Sequence, residues 1–156
     1  MKPIAFILVL CMAACQPDHS SSALAKKVDS LRQQLAHTYK PGFGEFMTGI
    51  QEHHAKLWLA GQAGNWGLAD FEIHEIMESV EAIQTVETAR KETKYIPMLL
   101  PALDSVNHAI TRKNKDQFRS GFIFLTQTCN NCHQVTDFSF NKVVVPDKNP
   151  FPNQAF

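Results

Sequence analysis

Residues 118–133 read FRSGFIFLTQTCNNCH. Apolar side chains recur in this stretch at Phe118, Phe122 and Leu125, and Cys129 continues the series. Spacings of three and four residues place side chains on one face of an α-helix. The stretch therefore predicts an amphipathic helix that opens near Asp116 and ends at about His133.

The end of this helix, residues 129–133, has the pattern Cys-x-x-Cys-His, which is the attachment signature of c-type haem. Two thioethers must reach the two vinyl groups on one edge of the macrocycle, and residues i and i+3 are neighbours on a helical surface. His133 follows directly and can turn its imidazole under the iron. The motif predicts one covalent haem c, attached through Cys129 and Cys132, with its iron ligated by His133.

Three other uses of this pattern are weaker interpretations. A zinc site needs two more ligands at similar spacing, and the chain has no second Cys pair of that kind. A thiol redox site also uses Cys-x-x-Cys, but usually beside a βαβ unit rather than on a helix. A disulfide across two intervening residues would constrain little.

Helical periodicity extends over most of the rest of the chain. It predicts further helices over 24–38, 43–63, 66–90 and 98–112, separated by Pro41-Gly42, Gly64-Asn65 and a connection at 93–97. We expect an all-α fold, an antiparallel four-helix bundle with an extra N-terminal helix, and bundle cores regularly hold cofactors. The tail from Asp137 to Phe156 is predicted to be irregular, either covering a haem edge or ending as a loosely ordered terminus.

The N-terminus predicts export. A single Lys2 precedes an apolar run, and Ala13-Ala14 stand before Cys15. Met12 to Cys15 resembles the bacterial lipobox, which implies lipidation of Cys15 and, because Gln16 follows, an outer-membrane location facing the periplasm. The alternative is a plain secretory signal and a soluble periplasmic protein. We expect residues 1–14 to be the signal, 15–40 a lipid-anchored tether with its helix, and 41–156 the haem domain.

The helical pattern with a late Cys-x-x-Cys-His resembles the class II cytochromes c, the cytochrome c′ family. A group of small bacterial monohaem proteins is more similar still, because it shares a block like residues 54–61, HAKLWLAG, and a tail like residues 152–156, PNQAF. The resemblance covers roughly residues 43–156. It implies a haem beside the first bundle helix and, in many relatives, a homodimer.

The resemblance also implies the second axial ligand. Six-coordinate relatives use a Met near the start of the first bundle helix, and the matching residue here is Met47, whereas five-coordinate relatives leave that face open. His54 is the rival ligand, and it could instead bond a haem propionate or be a hydrogen-bonded core residue. The two lie about 10 Å apart along a helix, so both cannot reach one iron.

The 15 Lys and Arg balance the 15 Asp and Glu, which gives no support to a nucleic-acid partner. The sequence has no nucleophile motif, phosphate loop or pair of catalytic carboxylates, so it favours an electron carrier over an enzyme. The expected partners are redox proteins and, through the anchor, a membrane. The alternatives are a gas-binding haem protein for nitric oxide or carbon monoxide, and a haem subunit of a larger respiratory complex.

Overall fold

The computed structural model describes residues 19–156, so the predicted export signal and Cys15 lie outside the described residues. Over those residues the fold is all-α, with five α-helices and no strand, which confirms the predicted class. The helices are α1 (His19–Ala36), α2 (Phe43–Ala63), α3 (Trp66–Val86), α4 (Leu100–Thr111) and α5 (Lys115–Val135), and a 3-10 helix covers Glu92–Leu99.

The chain divides into two compact units, the first ending at Lys40 and the second spanning Pro41–Phe156. The first unit contains α1, whose apolar stripe of Leu24, Val28, Leu31 and Leu35 is exposed. Between residues 19 and 156, no helix is both long and apolar enough to cross a membrane. The division into signal, tether and haem domain stays a prediction.

Asparagine and glycine set the helix ends of the second unit. Gly64 ends α2 in the left-handed conformation, with a φ of 78°, which glycine adopts without strain. The Asn65 side chain then accepts a hydrogen bond from the Leu68 amide and opens α3. Asn114 opens α5 in the same way through the Gln117 amide, so the helix begins before the predicted Asp116.

The connection between α3 and α4 differs from the prediction. α3 ends at Val86 rather than at residue 90, and the Glu87 carbonyl accepts a bond from the Thr93 hydroxyl at 2.7 Å. The chain then forms the 3-10 helix over the stretch that was predicted to be a plain connection. Pro97 lies inside it and has no N–H, so it cannot contribute a main-chain hydrogen bond to the helix at that position.

Aromatic rings join α2 to α5 in the core. The rings of Trp58 and Phe122 lie 4.8 Å apart between centroids, and Phe118 follows at 6.0 Å from Phe122. Gly61 allows this approach, because a Cβ at that position would overlap the Phe118 ring. The contact fixes α5 against α2, the two helices that carry the predicted site residues.

Candidate cofactor site

The Cys-x-x-Cys-His motif occupies the last turns of α5. Cys132 is buried and Cys129 half-buried, and neither forms a disulfide within the described part of the chain. The helix ends directly afterwards, and the Thr136 hydroxyl donates to the Cys132 carbonyl at 2.7 Å. The two thiols are thus presented from one helical turn, as the spacing predicts.

One cavity of about 230 Å³ lies against this turn. Its wall combines the start of α2, the segment that leads into and forms the 3-10 helix, the end of α5 and the first part of the tail. Lining residues from these four segments include Phe43, Met47, Ile50, His54, Arg90, Glu92, Ile96, Cys129, Cys132, His133, Phe138, Asn141 and Val143. The structure therefore brings all five predicted cofactor residues of the folded domain to one space.

The hydrogen bonding of His133 fixes its tautomer. Its Nδ1 lies 2.6 Å from the main-chain carbonyl oxygen of Asn141. Because a carbonyl only accepts, Nδ1 must carry the proton and donate it, which leaves the lone pair on Nε2. A metal-ligating histidine typically has this arrangement, with its other ring nitrogen bonded to a carbonyl or carboxylate.

Both thiols are protonated near neutral pH. Burial raises the pKa of Cys129 to about 12, and the neighbouring Cys132 adds to the shift. Burial also raises the pKa of Cys132. A reactive redox cysteine has a lowered pKa instead, usually beside a cation or a helix N-terminus. These thiols lie at the C-terminal end of a helix, so the environment disfavours the thiol redox interpretation.

Met47 and His54 face the cavity from α2. Met47 is half-buried and lies in the wall with Phe43 and Ile50. His54 is only 4% exposed, and its Nε2 lies 2.9 Å from the Thr126 hydroxyl oxygen. That hydroxyl donates its own proton to the Phe122 carbonyl, so His54 Nε2–H must be the donor.

This hydrogen bond limits what His54 can do. Burial lowers its pKa to about 4, so the ring is neutral at pH 7 and its Nδ1 carries the lone pair. In this tautomer the ring has no second N–H for an anionic propionate. Of the roles expected for His54, its contacts correspond to that of a hydrogen-bonded core residue.

Arg90 and Glu92 also line the cavity, although sequence reasoning did not select them. Arg90 donates to both carboxylate oxygens of Glu92, at 3.2 and 3.1 Å, and its guanidinium lies 5.3 Å from the ring centroid of Phe43. The hydrogen bond with Arg90 is the main reason why the pKa of Glu92 is lowered. With Glu92 ionised, the pair has no net charge, and its two parallel hydrogen bonds fix the Arg90 guanidinium at the cavity wall.

The other groups that contribute hydrogen bonds to the site are main-chain or uncharged side-chain groups, which no local sequence pattern identifies. The Asn141 carbonyl, the Thr126 hydroxyl and the Asn130 side chain form hydrogen bonds with predicted site residues or with the segment beside them.

Comparisons of the chain with models of protein families, with curated proteins and with solved structures found no match.

Proposed function

We propose that this protein is a monohaem c-type cytochrome that transfers electrons outside the cytoplasm. The observation that carries the proposal is that Cys129, Cys132, His133 and Met47 line one cavity. Two unpaired thiols on one helical turn and a histidine with a free Nε2 lone pair are the donor set that covalent haem attachment requires. The residues present therefore fit the group.

The proposed architecture is the antiparallel four-helix bundle of the class II cytochromes. Its support is the order of helix contacts, since α2 packs on α3, α3 on α4, α4 on α5 and α5 on α2. Such a closed ring of four helices is the arrangement expected of a bundle, and bundle cores are regular cofactor sites. The resemblance of residues 43–156 to that family implies the same arrangement.

In this proposal Cys129 and Cys132 hold the haem through thioethers, and His133 ligates the iron through Nε2. When bound there, the haem supplies one-electron exchange between ferrous and ferric iron. The chain's own contribution is to fix the imidazole through the Asn141 carbonyl, to shield the site from water with apolar side chains such as Phe43 and Ile50, and to hold the paired Arg90 guanidinium at the cavity wall.

Met47 is the proposed second axial ligand. It lies among apolar side chains, and no hydrogen bond with a described residue competes for its sulfur. His54 by contrast already uses Nε2 for Thr126. A thioether ligand favours ferrous iron, so Met/His ligation raises the reduction potential and suits an electron carrier better than a catalyst.

The location and partners are proposed from the N-terminal sequence. Lipidation of Cys15 would tether the domain to the periplasmic face of the outer membrane, with a soluble periplasmic protein as the alternative. Redox proteins are the proposed partners, either in passing encounters or within a larger respiratory complex. A homodimer is the oligomer that the family resemblance implies.

The absorption spectrum of the exported protein tests this function. We expect a c-type spectrum that is low-spin and does not change with carbon monoxide, and covalent haem that is absent from a Cys129→Ala/Cys132→Ala variant. A high-spin spectrum that shifts with carbon monoxide would instead favour the gas-binding alternative and leave Met47 as a core residue. A wild-type protein without haem would refute the proposal.

A further inference from the structure

The chain reverses direction directly after the Cys-x-x-Cys-His motif. Asp137 takes a positive φ of 70°, and the Phe138 amide donates to the His133 carbonyl at 2.7 Å. Together with the bond from the Asp137 amide to Gln134, this is a Schellman turn at the end of α5. The turn sends the tail back beside the helix that carries the motif.

Asn130 holds the returning tail at a second point. Its side-chain amide nitrogen donates to the Val143 carbonyl at 2.9 Å, and its side-chain oxygen accepts from the Val143 amide at 2.8 Å. One side chain thereby satisfies both main-chain groups of a single residue, as a neighbouring strand would do. Asn130 is half-buried and lies directly after the first motif cysteine.

Asn141 lies between these two attachments. The tail is fixed at Phe138 by the turn and at Val143 by Asn130, and the carbonyl that accepts from His133 Nδ1 belongs to the segment between them. Asn141 gains a further bond from its amide to the Phe138 carbonyl, at 2.8 Å. The position of the Asn141 carbonyl, which accepts from His133, therefore depends on the attachments at Phe138 and Val143.

We infer that Asn130 is a positioning residue for the axial histidine. It holds the tail so that the Asn141 carbonyl keeps its hydrogen bond with His133, which fixes the tautomer and makes the imidazole a stronger electron donor to iron. A stronger donor stabilises ferric iron and lowers the reduction potential. This inference rests on the proposed haem function and adds a residue that sets the properties of the same site.

The motif contains its own matched control. Asn130 and Asn131 are the two variable residues between the cysteines, and they have the same side chain. Asn131 is exposed, and no hydrogen bond joins its side chain to any described residue. Replacing either one changes the motif by the same atoms, but only one replacement releases the tail.

The experiment compares the full-length wild type with Asn130→Ala, Asn130→Ser and Asn131→Ala. Haem content and helicity are checked first, and Asn130→Ser supplies a second variant if the alanine variant does not accumulate. Amide hydrogen exchange at Val143 reports the attachment without reference to haem. We expect exchange to accelerate by about tenfold in the Asn130 variants, because a hydrogen bond of ordinary strength is lost, and to stay unchanged in Asn131→Ala.

The midpoint reduction potential then reports the effect on the iron. We expect it to rise in the Asn130 variants and to equal the wild-type value in Asn131→Ala, a difference that a purely structural role would not produce. Unchanged Val143 exchange in the Asn130 variants would refute the attachment. Faster exchange with equal potentials would refute the positioning role while leaving the cytochrome proposal intact. A wild type without haem fails at the first spectrum and refutes both.

Discussion

Two parts of the cavity wall are held in place in different ways. The motif wall, residues 129–143, is fixed by hydrogen bonds to the main chain, including those of His133 with Asn141 and of Asn130 with Val143. The α2 wall, residues 43–54, presents the apolar side chains of Phe43, Met47 and Ile50 to the cavity, and His54 joins it to α5 through the Thr126 hydroxyl. The hydrogen bonds of the motif wall fix the positions of individual atoms, whereas the side chains of the α2 wall set the size and shape of the cavity.

This difference indicates which properties each wall controls. Main-chain hydrogen bonds orient a ligand within narrow limits, so the motif wall is suited to holding a cofactor and tuning its first ligand. A flexible thioether packed among apolar side chains tolerates substitution. The α2 wall is therefore suited to determining whether the proposed second ligand position is occupied. Substitutions on the two walls should therefore have different kinds of effect.

Removal of the two proposed attachment points for haem should have the largest effect. In a Cys129→Ser/Cys132→Ser variant, we expect complete loss of haem that stays with the chain after denaturation, because hydroxyl groups do not form the thioethers. Haem staining of a denaturing gel measures the outcome. The single variants Cys129→Ser and Cys132→Ser are the controls, and each should keep haem attached through one thioether. Retention of covalent haem in the double variant would contradict the assigned attachment points.

Loss of Met47 should change the site without emptying it. In Met47→Ala we expect haem to remain attached, the low-spin state to be lost, carbon monoxide to bind and the reduction potential to fall, because the iron would lose its proposed thioether ligand. Met77 is the matched control, since it is also half-buried against the core but does not line the cavity. Optical spectra of both variants, with and without carbon monoxide, test whether Met47 is a ligand.

If Met47→Ala and Met77→Ala both keep the wild-type spectrum, Met47 is a packing residue. In that case His54 would have to be tested next as the second ligand, through its Nδ1.

Local patterns in the sequence predicted most of the fold. The bounds of α2 agree with the prediction at both ends, because Pro41-Gly42 and Gly64 stop the helix by their own backbone properties. The end of α3 was placed too late, since Glu87 to Arg90 include good helix formers and the bond from Thr93 that ends the helix comes from outside the segment. A stop that depends on a later residue leaves no mark in a local pattern.

The site was predictable to the same extent. Cys129, Cys132 and His133 follow from one motif, and the family resemblance selected Met47 and His54, all of which line the cavity. The contact of Asn130 with Val143 joins residues 13 apart through a segment without periodicity, so only the path of the tail reveals it. Arg90 and Glu92 were missed because α3 was expected to continue through residue 90.

The buried His54 should make stability depend on pH. Because the folded-state pKa is about 4, the unfolded chain binds a proton between about pH 6.5 and 4 that the folded protein does not bind. The stabilisation is complete above about pH 6.5 and is lost as pH falls toward 4, by about 3 kcal/mol at roughly 1.4 kcal/mol per pKa unit. Urea unfolding at several pH values measures this slope.

His54→Gln should remove that part of the slope, since it has no titrating group at the position. Equal slopes in the wild type and His54→Gln would show that His54 titrates normally and is accessible to water, which would also weaken its assignment as a core residue of the α2 wall.

The smallest expected effect concerns the close contact between α2 and α5, the helices that carry most of the two walls. Gly61→Ala places a Cβ in the buried Phe118 ring, so the ring or the two helices must shift, and overpacking of this kind destabilises by about 1–3 kcal/mol. Gly49→Ala in the same helix is the control, since no atom lies within 4 Å of the added Cβ, and the gain in helix propensity should stabilise by up to about 1 kcal/mol. Denaturant unfolding of both variants gives the two signs. Opposite signs would locate the close approach of α2 and α5 at Gly61, whereas stabilisation by both substitutions would mean that the Phe118 ring turns aside at little cost.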